Sequence, residues 1–356
     1  MKKTIAAVAV LSAFAGSAMA ADVSLYGRID SGLVFQQTET AGQNPVETDK
    51  FGMESGFVTG SRWGIKGTED LGSFKVGFTL ESGFTHDDGK SAQGSRLFGR
   101  EAVVTVEGDF GKVYMGRIGS IVSDSGSLSL LGNASVFGNC YGFASMKYST
   151  AAAMTRYDNV IGYVAPKFAG VEVRAMYSMA SDGAVENKAA SDRYAAFGVT
   201  YAAGPLTAMV VGDYTLYGNT ADDLDDGYNL VIGGNYKMDA ATIYAKASIF
   251  DNMKGVGTIE KTIAADKQVK GYGLEIGAKV PALGGAVLAA IGYRDAENVA
   301  DSADSFQLIT ANVGYNYAFS KRTSVYGVVG YIQEDSDELN DKATGYQAGV
   351  GLIHKF

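Results

Sequence analysis

Apolar and polar side chains alternate at every second position through segment after segment of this chain, and few folds can use such a pattern. From Tyr228 to Lys237, one parity carries Tyr228, Leu230, Ile232 and Tyr236, and the other Asn229, Val231, Gly233, Asn235 and Lys237. Tyr272, Leu274, Ile276, Ala278 and Val280 likewise oppose Gly273, Glu275, Gly277 and Lys279. The same holds for Ile309 to Tyr317, and near the front Phe74, Val76, Phe78 and Leu80 oppose Lys75, Gly77, Thr79 and Glu81. Neighbouring side chains of a strand point to opposite faces, so period two reads as strand. A β-sandwich alternates too, but its outer face is rarely apolar over so many segments. Hydrocarbon on one side and water on the other is the better fit, and that is the pattern of a transmembrane β-barrel. Helical spans are excluded after residue 20, because nowhere does the chain offer about 20 uninterrupted apolar residues.

The whole chain divides into sixteen such segments, at about 22–37, 57–68, 72–84, 96–107, 111–118, 154–165, 170–181, 192–203, 205–217, 226–237, 240–251, 267–280, 285–295, 303–319, 322–333 and 343–356. All but the fifth reach the roughly 9–11 residues that a tilted strand needs to cross a bilayer. An even number of antiparallel strands can close without an unpaired edge. Connections alternate between tight turns, such as Ala203-Gly204 and Ser320-Lys321, and long loops at 38–56, 85–95, 119–153, 182–191, 218–225, 252–266, 296–302 and 334–342. None of the four prolines interrupts a strand interior, where its missing donor would break the ladder. Two segments alternate poorly. Residues 285–295 are apolar on both faces, as a strand facing a subunit or pressed by a folded-in loop would be, and Arg100 shares parity with Val104 and Val106.

Residues 1–20 read as an export signal: Lys2 and Lys3, an apolar stretch from Ile5 to Phe14, then the small-x-small site Ala18-Met19-Ala20. Cleavage after Ala20 leaves one domain, 21–356. The chain carries a net charge of −9, which disfavours nucleic acid as a partner because phosphate contacts need clustered Lys and Arg. Its single cysteine, Cys140, cannot form an intramolecular disulfide and reads as a half-buried free thiol in the longest loop.

The chain ends Val350-Gly351-Leu352-Ile353-His354-Lys355-Phe356, which resembles the terminal strand of Gram-negative outer-membrane porins, particularly proteobacterial general porins. Leu25-Tyr26-Gly27-Arg28, the run from Ser61 to Gly72, Leu97-Phe98-Gly99-Arg100, Met115-Gly116-Arg117 and Arg156-Tyr157-Asp158-Asn159 match in family order across residues 21–356. The resemblance implies an all-β, 16-stranded antiparallel transmembrane barrel that assembles as a homotrimer in the outer membrane, in contact with lipid and lipopolysaccharide. It implies a water-filled channel for ions and small hydrophilic solutes, with the third long loop, 119–153, folded into the lumen. Ser135-Val136-Phe137-Gly138-Asn139 imperfectly resembles the PEFGG segment at the tip of that loop.

Arg28, Arg62, Arg100 and Arg156 match the basic cluster such porins place on the inner wall opposite the loop. Parity agrees for Arg28 and Arg62, and for Arg156 it sets the residue opposite Tyr157, Ile161 and Tyr163; Arg100 rests on the resemblance. Arginine suits the role because it stays charged at any relevant pH. Family loops supply facing carboxylates, but here Asp124 is the only acid between 119 and 153. Four arginines and one loop carboxylate imply a weak anion preference, opposed by the lumen-parity acids Asp30, Glu81, Glu172, Asp213 and Glu275. Arg117 matches a family arginine near the subunit interface.

No cofactor or metal site stands out. The run from Asp222 to Gly227 resembles a calcium loop only superficially, since Leu224 occupies a ligand position and the closing position is Gly233. Glu334, Asp335, Asp337, Glu338 and Asp341 read as a solvated face. Two readings compete with a general pore. An enzymatic barrel would need a histidine beside an activating carboxylate, and only His86, next to Asp87 and Asp88, and His354 are present. A substrate-specific channel would show aromatics along the lumen, whereas most here have outward parity.

Overall fold

A computed structural model describes residues 21–41, 46–151, 156–181, 191–218, 224–254, 256–259, 268–336 and 341–356. Residues 1–20, where the export signal is expected, lie outside the described residues. The strands are β1 (Ala21–Ala41), β2 (Val46–Ser55), β3 (Arg62–Asp70), β4 (Phe74–Gly83), β5 (Glu101–Gly108), β6 (Gly111–Gly119), β7 (Arg156–Val164), β8 (Val171–Ser178) and β9 (Arg193–Ala203). They continue with β10 (Leu206–Leu216), β11 (Gly227–Lys237), β12 (Thr242–Met253), β13 (Val269–Ala282), β14 (Gly285–Asn298), β15 (Ser305–Ala318), β16 (Thr323–Ser336) and β17 (Asp341–Lys355). The first half of β1 pairs with β3 and its second half with β2. Those two segments are therefore one stave, broken at 56–61, and the ring has sixteen staves.

Each stave is antiparallel to the next, and β17 closes on β1 from Arg28↔Lys355 to Ala41↔Lys342. Closure leaves no row of unpaired N–H and C=O groups facing lipid, the condition for any sheet in a bilayer. Phe356 completes the seam by exchanging backbone hydrogen bonds with Gly27 at 3.0 and 3.1 Å, its ring filling the space a side chain at Gly27 would take.

The alternation sorts the faces as expected. Leu230, Ile232, Leu274 and Ile276 are exposed, whereas Asn229, Val231 and Glu275 between them are buried. What buries them is the segment 120–151, which holds three short 3-10 turns at Leu131–Asn133, Gly142–Ala144 and Met146–Tyr148. Its Ser127 donates to Glu101 of β5 and its Asn133 carbonyl accepts from Asn235 of β11. Further on, Ser135 donates to Glu275 of β13 (2.6 Å), Phe143 N–H to Gln347 of β17 (2.9 Å), and Tyr141 N–H to the Phe57 carbonyl in the stave break (2.7 Å). One short segment can touch β5, β11, β13, β17 and that break on their non-exposed faces only from inside the ring.

Close approach is made possible by inward glycines. A Cβ on Gly198 would meet Leu130 at 2.7 Å, and one on Gly273 would overlap the Ser149 carbonyl. Ile121, Val122, Leu128, Leu131 and Met146 of the loop are fully buried against Val103, Tyr157, Tyr194, Met209 and Val231 of the wall.

Several expectations change. Residues 46–55, assigned to the first long loop, form β2, extending the first hairpin. The inner face is not polar throughout, because the loop covers β5–β11 with a dry apolar layer. The same cause explains β14: Leu288 and Ala290 point inward against Val136 and Phe137, while Ile291 points out. Glu334 is not part of a solvated face, since it is buried and bound to Arg294 at 2.7 Å and to the Ile259 N–H at 2.8 Å. Asp337 and Glu338 lie outside the described residues.

Candidate functional site

The site begins with the break between β2 and β3. Gly56 turns the chain inward at φ +77°, a left-handed value that glycine adopts without a steric penalty. Asp30, fully buried on β1, fixes the break by accepting the N–H groups of Val58 (2.8 Å) and Thr59 (2.7 Å) and the Tyr326 hydroxyl (2.8 Å). Thr59 is thereby presented to two guanidinium groups, accepting from Arg28 Nη1 at 3.2 Å and Arg62 Nη2 at 2.8 Å. Arg28 and Arg62 face each other directly in the β1–β3 register. Like charges across a ladder destabilise it, so this pair is held by the surrounding structure against a local cost.

Glu81 on β4 joins the next two arginines, accepting Arg62 Nη1 at 3.5 Å and Arg100 Nε at 2.6 Å, with the Tyr26 hydroxyl on its other oxygen at 3.1 Å. Arg100 precedes β5, so strand parity does not govern it, and its side chain turns in over Gly60, where a Cβ would lie 2.9 Å from Nη1. Arg156, the first residue of β7, lies within the electrostatic reach of Arg100, Arg117, Glu81 and Asp124. Strand parity does not aim Arg156 inward. Asn159 sits at φ +52° and the β6–β7 register shifts after Gly116, so Tyr157 points inward and stacks on Tyr194 at 3.8 Å. The structure thus brings Arg28, Arg62, Arg100 and Arg156 to one patch of inner wall.

Asp124 lies near the patch but is a brace for the loop. Its oxygens accept the Asn139 backbone N–H (2.9 Å) and side-chain amide (2.6 Å) and the Ser125 hydroxyl (3.1 Å). Gly138, at φ +66°, passes so close that a side chain there would overlap this carboxylate. The lumen-parity acids are similarly engaged. Asp30 clamps the break; Glu172 pairs with Arg174 at 2.7 Å; Asp213 accepts the Tyr194 hydroxyl at 2.9 Å. Glu275 pairs with buried Lys246 at 2.8 Å beneath Ser149. Arg28 and Arg156 have no ion-pair partner among the described residues. Arg117 binds Asp158 at 2.5 Å and the Gly99 carbonyl at 2.8 Å.

Thr59, Tyr26 and the Lys246–Glu275 pair were not singled out from the sequence. The glycines at 56 and 60 were the one available sign of the break. On the loop, burial pushes the Cys140 thiol up to about 12 and holds the Lys147 ammonium below its ordinary value. His86 Nδ1 lies 2.8 Å from Ser55 Oγ, but its Nε2 is buried with no hydrogen-bond partner, so no carboxylate orients the ring. Asp222 and Asp223 lie outside the described residues, and Asp226 accepts the Tyr217 N–H at 3.2 Å and the Tyr214 hydroxyl at 3.1 Å. Among the described residues no group of His, Cys, Asp and Glu could hold a metal ion.

A closed ring, apolar outside, with charged side chains gathered on its inner wall defines a transmembrane channel. Residues 7–337 match the Gram-negative porin family model, and the chain belongs to that family. It is 31% identical over 396 residues to an outer membrane porin protein of Bordetella pertussis and 30% identical over 377 residues to outer membrane porin protein 32 of Delftia acidovorans, with all of each chain covered. In fold it is similar to an anion-selective porin from Comamonas acidovorans (TM-score 0.68, 24% identity, 94% of this chain and 100% of that one). It is similar also to the outer membrane channel DcaP of Acinetobacter baumannii (TM-score 0.68, 14% identity, 96% of this chain and 99% of that one). The protein is an outer-membrane porin, a channel for passive diffusion and not an enzyme.

Proposed function

We propose that the narrowest part of the channel lies between Arg28, Arg62, Arg100 and Arg156 on one side and the 120–151 loop on the other, and that it favours anions. The carrying observation is the local charge balance: Glu81 is shared by Arg62 and Arg100, while Arg28 and Arg156 on the same patch have no ion-pair partner among the described residues, and the carboxylates within electrostatic reach of Arg156 are Glu81 and Asp124. Every other candidate acid, Asp124 included, is committed to hydrogen bonds or ion pairs that hold the fold. Fixed charges lining a constriction set which ion leaves its hydration shell there. The anion selectivity of the Comamonas acidovorans porin accords with this reading.

The working form in this reading is a homotrimer set in outer-membrane lipid and lipopolysaccharide, exported on residues 1–20 and cleaved after Ala20. Stave height supports it: β5–β8 have 8 or 9 residues each, against 14 or 15 in β13–β17. A barrel with one low side suits shielding of that side by its neighbours. Planar-bilayer recording with the purified protein tests both parts. The expected record shows chloride permeating faster than potassium and three equal closure steps per insertion. A cation preference would overturn the selectivity reading, and single closures would overturn the trimer.

A further inference from the structure

The seven short connections of the ring run through 71–73, 109–110, 165–170, 204–205, 238–241, 283–284 and 319–322. Turn tips of a barrel are expected to be polar because they meet water. Six of these seven carry an exposed large apolar side chain: Leu71, Phe110, Phe168, Met238, Leu283 and Phe319. Phe168 is 82% and Leu283 91% exposed, so neither contributes to packing within the barrel.

We propose that this end of the barrel is embedded in lipid, the apolar tips outside the low β5–β8 side inserting their side chains into the headgroup–acyl boundary of the adjoining leaflet. The inference rests on the bilayer-spanning reading of the barrel. Three observations carry it. Outside the β5–β8 side, the tips Met238, Leu283, Phe319 and Leu71 are spread from the β11–β12 turn round to the β3–β4 turn, and an occupant that wraps so much of a barrel is a membrane, whereas a protein would cover one sector.

The tips are also tied to outward-facing tyrosines, residues that belong at the membrane–water interface. Tyr315 Oη donates to the Leu283 carbonyl at 2.9 Å and Tyr163 Oη to the Phe110 carbonyl at 2.5 Å, while Tyr317 packs edge-on against Phe319 with centroids 5.2 Å apart. The tips thus sit one hydrogen bond beyond the aromatic belt. Finally, Leu283 holds φ +50° next to Gly284 at +79°, a turn that favours Asn or Gly at both positions. A leucine kept there at a conformational cost, with no contact to repay it inside the barrel, has its partner outside.

Single tryptophans read out the depth directly. In a Trp63→Phe background, Leu283→Trp and Phe319→Trp are placed in phosphatidylcholine vesicles. Ile276→Trp serves as the mid-bilayer reference and Ser302→Trp as the aqueous one. Because both tip side chains are exposed, these substitutions do not disturb the fold. The expected result is quenching of both tip tryptophans by lipid brominated near its headgroup end, with iodide quenching several-fold weaker than at Ser302→Trp. Iodide quenching equal to that at Ser302→Trp would overturn the proposal while Ile276→Trp still reports a spanning barrel. Absence of quenching at Ile276→Trp by deeply brominated lipid would instead overturn the spanning reading, and this proposal with it.

Discussion

Replacing Glu275 by Gln tests what holds the loop inside the ring. Lys246 and Glu275 are almost wholly buried, at 1% and 6% side-chain exposure. Lys246 Nζ otherwise has only the hydroxyls of Ser149 (2.7 Å) and Thr150 (2.9 Å). Glu275→Gln strands a buried ammonium, which costs about 3–5 kcal/mol when one partner of such a pair is removed. Against it stands the apolar contact of the loop. Ile121, Val122, Leu128, Leu130, Leu131 and Met146 are each at most 2% exposed. At about 1.5–3 kcal/mol per fully buried side chain, these six stabilise docking by something on the order of 10 kcal/mol, an upper estimate. Apolar burial therefore wins. Glu275→Gln is expected to lower the urea midpoint of the refolded porin while leaving single-channel conductance close to that of the wild type. Lys246→Met added to Glu275→Gln should recover most of the stability, since no buried charge remains. A large rise in conductance in Glu275→Gln alone would show that the ion pair, and not the apolar layer, keeps the loop in place.

Gly273→Val would drive a side chain into the Ser149 carbonyl, so the return limb of the loop should lift and the channel should become larger and noisier in bilayer recordings. Gly60→Ala meets only the mobile end of Arg100, with Cβ 2.9 Å from Nη1. Displacement of Arg100 from Glu81, whose side chains are only 7% and 14% exposed, should cost at most about 3–5 kcal/mol, the range for a broken buried pair, and alter the chloride-to-potassium permeability ratio. Cys140 is half-buried, and burial pushes its thiol up to about 12; because the thiolate is the reactive form, iodoacetamide at pH 8 should label it more slowly in the folded porin than after denaturation.

The strands were legible because hydrocarbon imposes alternation on any side chain it touches. Where hydrocarbon stops, so does the signal. Thr38, Glu39 and the residues of β2 facing them, Thr48 and Glu47, are all polar, and they read as a loop although they are paired strand. The inner face of β5–β11 was misjudged for a related reason: apolar inward residues such as Val103 and Val231 answer to a loop far away in sequence. Among the site residues, Arg28 and Arg62 follow strand parity, so the sequence was enough to aim them inward. Arg156 cannot be placed that way, because a left-handed Asn159 resets the alternation of β7. The role of Asp124 was hidden in a backbone hydrogen bond from Asn139. No spacing rule reports that contact.

In the proposed reading, the arginine cluster on the inner wall governs which ions pass. Arg28 and Arg156 are the members free of ion pairs among the described residues, so in that reading theirs are the charges most available to a permeating ion. The decisive measurement is the zero-current potential across a KCl gradient for the wild type and for Arg28→Glu combined with Arg156→Glu. The account expects an anion-preferring wild type whose potential shifts toward, or changes sign to, cation preference in the double variant. An unchanged potential in a variant of normal conductance would contradict it.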